Sequence, residues 1–206
     1  MLRPNEQNLT AFPGHSTADA SFHTSCDGYG LQSNSTPYMA RLAECLHATL
    51  QHFNDINRPA AAKSALRAYI CEPELLSPEQ CIGSASTYRR HLLYVSPAKD
   101  FSVMSVVWQP GQRSPIHGHT AWGSVGVYSG QPFCVNYLAK QSLGGVLSCE
   151  QMETLRLKPR DLATVQPGLG TIHRIGNDSL RPCVTVHIYG TDLLADPAAI
   201  NFQVAA

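Results

Sequence analysis

The chain has 206 residues, with 15 basic and 15 acidic side chains, so its formal net charge at pH 7 is zero. This length allows one domain with a full hydrophobic core, and the balanced charge argues against binding to nucleic acid or to an anionic membrane. Seven cysteines lie scattered without a repeated spacing, which predicts reduced thiols and a cytoplasmic protein.

The first 36 residues differ in composition from the rest of the chain. They are rich in Ser, Thr, Asn, Gly and Pro, which predicts a loosely packed or extended N-terminal arm. This arm lacks the apolar core of a signal peptide, and no stretch of the chain approaches the length of a membrane span. Over 37–206 we expect a single domain, with helices at about 37–95 and a β-barrel at about 98–192.

Two helices are predicted directly after the arm. In the first, apolar residues recur at spacings of three and four, as on one face of an amphipathic helix, at Met39, Leu42, Leu46, Leu50 and Phe53. The second is predicted over 60–70.

A third helix is predicted to begin at Ser77. Ser77 suits the N-cap, Pro78 the first helical position and Gln80 the third, which together form a capping box. We expect this helix to continue towards Tyr94, with His91 as an ordinary residue on its surface.

Beyond residue 97 the chain changes to short β-branched runs, separated by Gly, Pro and Asn. The runs are FSVMSVVW, GSVGVYSG, FCVNYLA, METLRLK, LATVQPG, TIHRIGN and CVTVHIYG. Seven or more short strands at this spacing predict a sandwich or a small barrel. We therefore expect a mainly β fold with an N-terminal helical segment.

Three histidines in this β region form a candidate metal site. His117 and His119 are two residues apart in a run that favours a strand, so both imidazoles point to the same face. His173 follows the turn residues Gly168 and Gly170, where the next strand begins. Three convergent imidazoles are a plausible ligand set for a transition metal.

The spacing of these histidines and of nearby glycines resembles the two motifs of the cupin superfamily. The residues that carry the resemblance are Gly111, His117, His119, Gly130, Gly170, His173 and Asn177. The resemblance implies a small jelly-roll-like β-barrel that collects metal ligands at its mouth. Many cupins carry a glutamate ligand seven positions before the glycine that corresponds to Gly130, and this chain has Gly123 there.

Three neutral imidazoles without a carboxylate leave Fe(II) its full double charge and three open positions, which favours an anionic thiolate. A three-histidine cupin of this length is similar to the thiol dioxygenases, such as cysteine dioxygenase. The resemblance covers roughly residues 84–192. It implies an iron-dependent oxidoreductase that uses O2 to convert a small thiol, L-cysteine by preference, into its sulfinic acid.

The strand VTVHIYG places Thr185, His187 and Tyr189 on one face and three aliphatic residues on the other. A polar inner face is costly unless it is hydrogen-bonded or used. The resemblance implies a relay in which Thr185 orients His187 and His187 orients the catalytic phenol of Tyr189. His187 also remains an alternative fourth candidate for the metal.

The segment YRRHLL supplies the expected substrate-binding charge. Arg90 falls where cysteine dioxygenases carry the arginine that pairs with the substrate carboxylate. The 3-mercaptopropionate dioxygenases generally have glutamine there and a different arginine after the TVHIYG-like strand, where this chain has none. Both differences favour cysteine. Tyr88 and Trp122 are expected to line the substrate pocket.

Position 123 also distinguishes the chain from the animal enzymes. Those enzymes have a cysteine at this position, linked by a thioether to the tyrosine that corresponds to Tyr189. Because Gly123 has no thiol, Tyr189 is expected to remain an unmodified phenol.

Two alternatives remain open at the level of sequence. The first stays within the chemistry and is a dioxygenase of 3-mercaptopropionate or another small thiol. The second is a cupin of another class, either a metal-dependent isomerase or a non-catalytic ligand-binding module. No feature of the sequence indicates the oligomeric state.

Overall fold

The computed structural model describes residues 28–141, 147–196 and 201–204. The helical elements are α1 (Pro37–Leu50), α2 (Arg58–Tyr69) and a short 3-10 helix (Glu79–Cys81). The strands are β1 (Gly30–Leu31), β2 (Arg89–Val95), β3 (Ser102–Trp108), β4 (His117–His119), β5 (Gly123–Ser129), β6 (Phe133–Gln141), β7 (Leu147–Arg156), β8 (Leu162–Val165), β9 (Gly168–Gly176), β10 (Cys183–Tyr189) and β11 (Asn201–Gln203).

The strands form two antiparallel sheets. The six-stranded sheet has the order β1-β2-β3-β10-β5-β8, and the five-stranded sheet has the order β11-β4-β9-β6-β7. The eight strands β3 to β10 are thus divided into the quartets β3-β10-β5-β8 and β4-β9-β6-β7. This division is the double Greek key of a jelly roll, so the predicted mainly β, jelly-roll-like fold is confirmed.

Helix α1 confirms the first helical prediction. The Thr36 hydroxyl caps it by accepting the backbone N–H of Met39 at 3.1 Å, and Pro37 occupies the first helical position. The apolar face is buried as far as Leu50, whereas Phe53 lies beyond the helix and is 43% exposed. Helix α2 confirms the second prediction, although it begins two residues earlier than expected.

The third predicted helix is wrong. Only half of the capping box forms, because the Ser77 backbone N–H donates to Gln80 Oε1 at 3.0 Å but the Ser77 hydroxyl caps no backbone N–H of the described residues. A single 3-10 turn follows. The next residues contain Gly83 and several serines, which are weak helix formers. The segment Arg89–Val95 instead pairs with β3, where almost all its residues are buried, so the β region starts at Arg89.

This correction also moves His91 from a helix surface to a strand. His91 is 2% exposed, and its Nε2 lies 2.9 Å from the carbonyl oxygen of Ile82. The predicted N-terminal arm likewise supplies a strand, because β1 pairs with β2. The remainder of the arm, residues 1–27, lies outside the described residues.

The six-stranded sheet packs its outer face against the helices. Leu93, Val107 and Val186 from this face join Leu42 and Leu66 of the helices in one buried cluster, here called the helix-side core. No helix in the described part of the chain is long and apolar enough to cross a membrane.

The inner face of the same sheet points towards the five-stranded sheet. Its side chains, including Leu92, Val106 and Tyr189, cluster with Ile175 of β9 in what is here called the inner core. Residues of β10 alternate between the two cores, as the period of a strand requires. The space between the two sheets is therefore where polar side chains of β10 meet those of β4 and β9.

Candidate metal centre

The five-stranded sheet brings the three predicted histidines together. His117 and His119 lie on β4, and His117 pairs directly with His173 of the neighbouring β9. The possible ligand atoms of the three side chains all lie within 4.8 Å of one another, and the Nε2 atoms of His117 and His173 are 3.1 Å apart. Adjacent antiparallel strands thus hold two imidazoles, and the strand period adds the third.

Main-chain carbonyls fix the orientation of two of these rings. The Nδ1 atom of His117 lies 3.0 Å from the oxygen of Pro115, and that of His119 lies 3.3 Å from the oxygen of Thr171. Because a carbonyl only accepts, each Nδ1 carries the hydrogen and each Nε2 presents a lone pair to the centre. The Nε2 of His119 is buried and has no hydrogen-bond partner among the described residues, as a metal ligand requires.

The third ring is oriented by a thiol. The Nδ1 of His173 lies 3.8 Å from Sγ of Cys134, and that thiol donates to Oδ1 of Asn136 at 3.6 Å. Burial, with a smaller contribution from Glu153, raises the pKa of Cys134 to about 11, so the sulfur is a neutral acceptor for the imidazole N–H. Sequence reasoning missed Cys134 because only the pairing of β6 with β9 brings it to His173.

The electrostatics of the cluster suit metal binding. Burial, and then the charge of His117, lower the pKa of His119 to about 3. Burial and repulsion from the neighbouring histidines also hold the pKa of His173 well below its usual range. Burial lowers the pKa of His117 as well, so all three rings are neutral at pH 7, which is the form that coordinates a metal.

The six-stranded sheet places the predicted relay beside this cluster. The Thr185 hydroxyl lies 2.7 Å from His187 Nε2, and His187 Nδ1 lies 3.1 Å from the hydroxyl of Tyr189. The rings of Tyr189 and His119 are stacked, with centroids 6.1 Å apart. Both nitrogens of His187 are thus engaged by the relay, and His187 is outside the group that could hold a metal.

Trp108 also belongs to the hydrogen-bonded relay, and sequence reasoning missed it. Its Nε1–H donates to the Thr185 hydroxyl at 3.0 Å, in a buried position. A tryptophan near the end of a predicted strand offers no local signal of such a contact, because β3 and β10 are separated by more than 70 residues.

Arg90 lies on the inner face of β2, and not on a helix as predicted. It is opposite Val106, which is in turn opposite Thr185, so Arg90 and Thr185 share one face of the sheet. The side chain is buried, at 8% exposure. Burial is the largest cause that lowers the pKa of His187 to about 3. The charges of His119, His117 and Arg90 lower it further, so Arg90 is close enough to His187 to act on it.

The other two predicted pocket residues differ in position. Tyr88 packs on Trp108 with ring centroids 4.7 Å apart, so it adjoins the relay. Trp122 belongs to the helix-side core, where its indole lies against Gly190, and not to the inner core. The assignment of Trp122 to the substrate pocket stays a prediction.

Gly123 is in direct contact with the relay. It pairs with Tyr189 across β5 and β10, and a Cβ atom built on it would lie 2.6 Å from Cδ1 of that ring. The absence of a side chain at this position therefore makes room for Tyr189. The structure brings no carboxylate into the group of metal-binding candidates in the described residues.

No family model matches the chain. One similar solved structure is a conserved protein with a double-stranded β-helix domain from Klebsiella pneumoniae, 21% identical over 66% of this chain and 100% of that one, with a TM-score of 0.45. A cupin-superfamily sugar phosphate isomerase from Silicibacter pomeroyi is 22% identical over 49% of this chain and 59% of that one, with a TM-score of 0.37. The cupin domain of Cnp3 from Schizosaccharomyces pombe is 17% identical over 53% of this chain and 64% of that one, with a TM-score of 0.39.

The strand order, rather than these distant similarities, defines the class. The chain is a jelly roll in which two adjacent strands present three convergent imidazoles between the sheets, at a site that could hold a metal ion.

Proposed function

We propose that the protein is a non-haem iron thiol dioxygenase that oxidises L-cysteine with O2 to cysteine sulfinic acid. The observation that carries the proposal is the hydrogen-bonded series Thr185, His187 and Tyr189, which lies directly beside the three-histidine cluster. A merely structural cupin core has no need of three buried polar side chains in sequence along one strand face. The partners proposed are therefore a small thiol and O2.

The proposed metal is Fe(II), held by His117, His119 and His173. When bound, Fe(II) supplies the one-electron chemistry with dioxygen and an affinity for thiolate. The three neutral rings add no negative charge, which favours an anionic substrate at the centre.

Tyr189 is proposed to act as a hydrogen-bond donor to the reacting groups. Burial raises the pKa of its phenol, so the hydroxyl keeps its hydrogen at pH 7. Burial, as the largest cause, lowers the pKa of His187 to about 3, so this imidazole is neutral at the same pH. The relay therefore orients a neutral phenol and does not supply a second charge.

Arg90 is proposed to hold the substrate carboxylate. Its guanidinium is a fixed, buried positive charge on the same sheet face as Thr185, and a planar guanidinium matches a carboxylate with two parallel hydrogen bonds. The chain has no arginine in 190–206 that could take this role in its place. This pairing favours cysteine over cysteamine, which has no carboxylate.

The cellular location proposed is the cytoplasm. All six cysteines within the described residues are free thiols, as is usual in a reducing compartment.

Oxygen consumption by iron-loaded protein, with cysteine, cysteamine and 3-mercaptopropionate offered separately, tests the proposal. We expect uptake with cysteine and formation of the sulfinate, identified by mass spectrometry. The metal-free protein and Tyr189→Phe serve as controls, and the latter should be slower by roughly 10- to 1,000-fold, as for a lost transition-state hydrogen bond.

Other outcomes would replace the proposal. Faster uptake with 3-mercaptopropionate would transfer the function to that thiol. No uptake with any thiol would leave the metal-dependent isomerase or the ligand-binding module, which assays with sugar phosphates and metal-binding measurements then separate.

A further inference from the structure

Trp108 gives the relay a defined starting point. An indole N–H is a donor only, so the Thr185 oxygen must accept from it at 3.0 Å. Tyr88 packs over the indole with ring centroids 4.7 Å apart, which holds the ring plane in this orientation. One lone pair of the Thr185 hydroxyl is therefore occupied, and its single hydrogen remains to be placed.

The distances decide where that hydrogen goes. Two acceptors are within reach of the Thr185 hydroxyl, namely His187 Nε2 at 2.7 Å and the carbonyl oxygen of Val106 at 3.5 Å. Hydroxyl donors form bonds of about 2.7 to 2.8 Å, and a contact of 3.5 Å is at the limit of a hydrogen bond. The hydrogen of Thr185 therefore lies on the bond to His187.

The tautomer of His187 follows from this placement. A neutral imidazole carries one hydrogen, and since Nε2 accepts from Thr185, that hydrogen lies on Nδ1. Nδ1 then donates to the Tyr189 oxygen, and the separation of 3.1 Å suits an N–H donor better than an O–H donor. The phenolic hydrogen of Tyr189 is consequently not used inside the relay.

We propose that Trp108 is a positioning residue that fixes His187 as the Nδ1–H tautomer and thereby directs the phenolic hydrogen of Tyr189 towards the metal centre. The reverse direction, with Tyr189 donating to His187, would turn this hydrogen away from the reacting groups. The tautomer argument stands on the relay geometry alone, whereas its effect on turnover rests on the proposed function.

Trp108→Phe tests the inference, because it retains an aromatic ring and removes the N–H. The direct readout is the pair of side-chain ¹⁵N shifts of His187 in zinc-loaded, histidine-labelled protein, assigned by the signals that His187→Gln lacks. In the wild type we expect a protonated Nδ1 and an unprotonated Nε2. In Trp108→Phe we expect a mixture of the two tautomers.

Two substitutions at Thr185 serve as matched variants. Thr185→Ser keeps the hydroxyl and should keep the wild-type tautomer, whereas Thr185→Val removes it and should reproduce the mixture. If Trp108→Phe does not fold, Thr185→Val carries the test. A wild-type His187 protonated on Nε2 overturns the inference, and so does a wild-type tautomer retained in either Trp108→Phe or Thr185→Val.

Kinetics provide the second readout. In the iron-loaded protein, Trp108→Phe should lower kcat by roughly 10- to 100-fold, as for other outer partners of a metal site, with KM for cysteine unchanged. An unchanged kcat overturns the functional part of the inference. If the wild type consumes no oxygen with any thiol, the proposed function fails, and the tautomer measurement still decides the role of Trp108.

Discussion

The two sheets contribute to the same site by different means. In the five-stranded sheet, His117 and His119 are oriented by main-chain carbonyls, which no substitution removes. In the six-stranded sheet, Thr185, His187 and Tyr189 are oriented by one another's side chains. The comparison teaches that the metal centre and the relay are separable, because a single substitution can break the relay and leave the ligands in place.

Alanine substitution of His117, His119 or His173 should have the largest effect. Each removes one of three ligands, so we expect complete loss of both retained iron and turnover, measured by metal analysis and oxygen uptake. His187→Ala should keep most of its iron, with affinity or activity altered by roughly 10- to 100-fold.

Exposed His52, beyond the end of α1, provides the matched control, and His52→Ala should keep normal iron content. Normal iron in any of the three ligand variants would exclude that residue from the metal centre. Complete loss of iron in His187→Ala would place this residue among the ligands. The metal centre and the relay would then not be separable.

Arg90→Gln should have the next largest effect and should be confined to substrates with a carboxylate. Removing one partner of a buried charge pair costs about 2 to 5 kcal/mol, so KM for cysteine should rise roughly 30-fold or more. The rate with cysteamine should change little. Steady-state oxygen uptake with the two thiols measures both.

Arg89 provides the control for this prediction, since it is next in sequence and lies opposite Val107 of the helix-side face. Arg89→Gln should leave the kinetics with cysteine unchanged. Unaltered cysteine kinetics in Arg90→Gln would remove Arg90 from the substrate site, although the thiol dioxygenase proposal would survive.

Gly123→Ala tests whether the relay tolerates a methyl group against the Tyr189 ring. The added Cβ would lie 2.6 Å from that ring, so we expect a loss of about 1 to 3 kcal/mol in the free energy of unfolding and slower turnover. Gly170→Ala is the control, because a Cβ there would meet no atom within 4 Å. The free energies of unfolding of the two variants are measured by urea denaturation. Equal values would contradict the close approach of residue 123 to the Tyr189 ring.

The parts of the site that follow from strand periodicity could be predicted from the sequence. His117 and His119, and likewise Thr185, His187 and Tyr189, are spaced by two residues, so a strand places each set on one face without any knowledge of its neighbours. A sandwich or small barrel was also accessible, because short β-branched runs alternate with turn residues over the second half of the chain. The jelly-roll form followed only from the resemblance to the cupin motifs.

The parts that depend on pairing between distant strands could not be predicted in this way. A capping box at Ser77 and Gln80 favoured a helix locally, but the burial gained by pairing β2 with β3 outweighed it. The contact of Cys134 with His173 and that of Trp108 with Thr185 also arise only from strand order.

The pH dependence of stability draws on both sheets, and the contribution of one histidine over one pH unit should be the smallest of these effects. The folded metal-free protein holds the pKa of His119 and of His187 at about 3, against 6.5 for an unperturbed histidine. Below 6.5 the unfolded chain takes up protons that the folded state refuses, so stability is fully present above pH 6.5 and is lost as the pH falls towards 3. Each histidine should contribute a slope of about 1.4 kcal/mol per pH unit between about pH 6 and about pH 5, where most carboxylates remain ionised.

Urea unfolding of the metal-free wild type, His119→Gln and His187→Gln measures these slopes, and each variant should lose one histidine's share. An unchanged slope in His187→Gln alone would show that the relay histidine is charged in the folded state, and the neutral imidazole on which the relay depends would then be excluded.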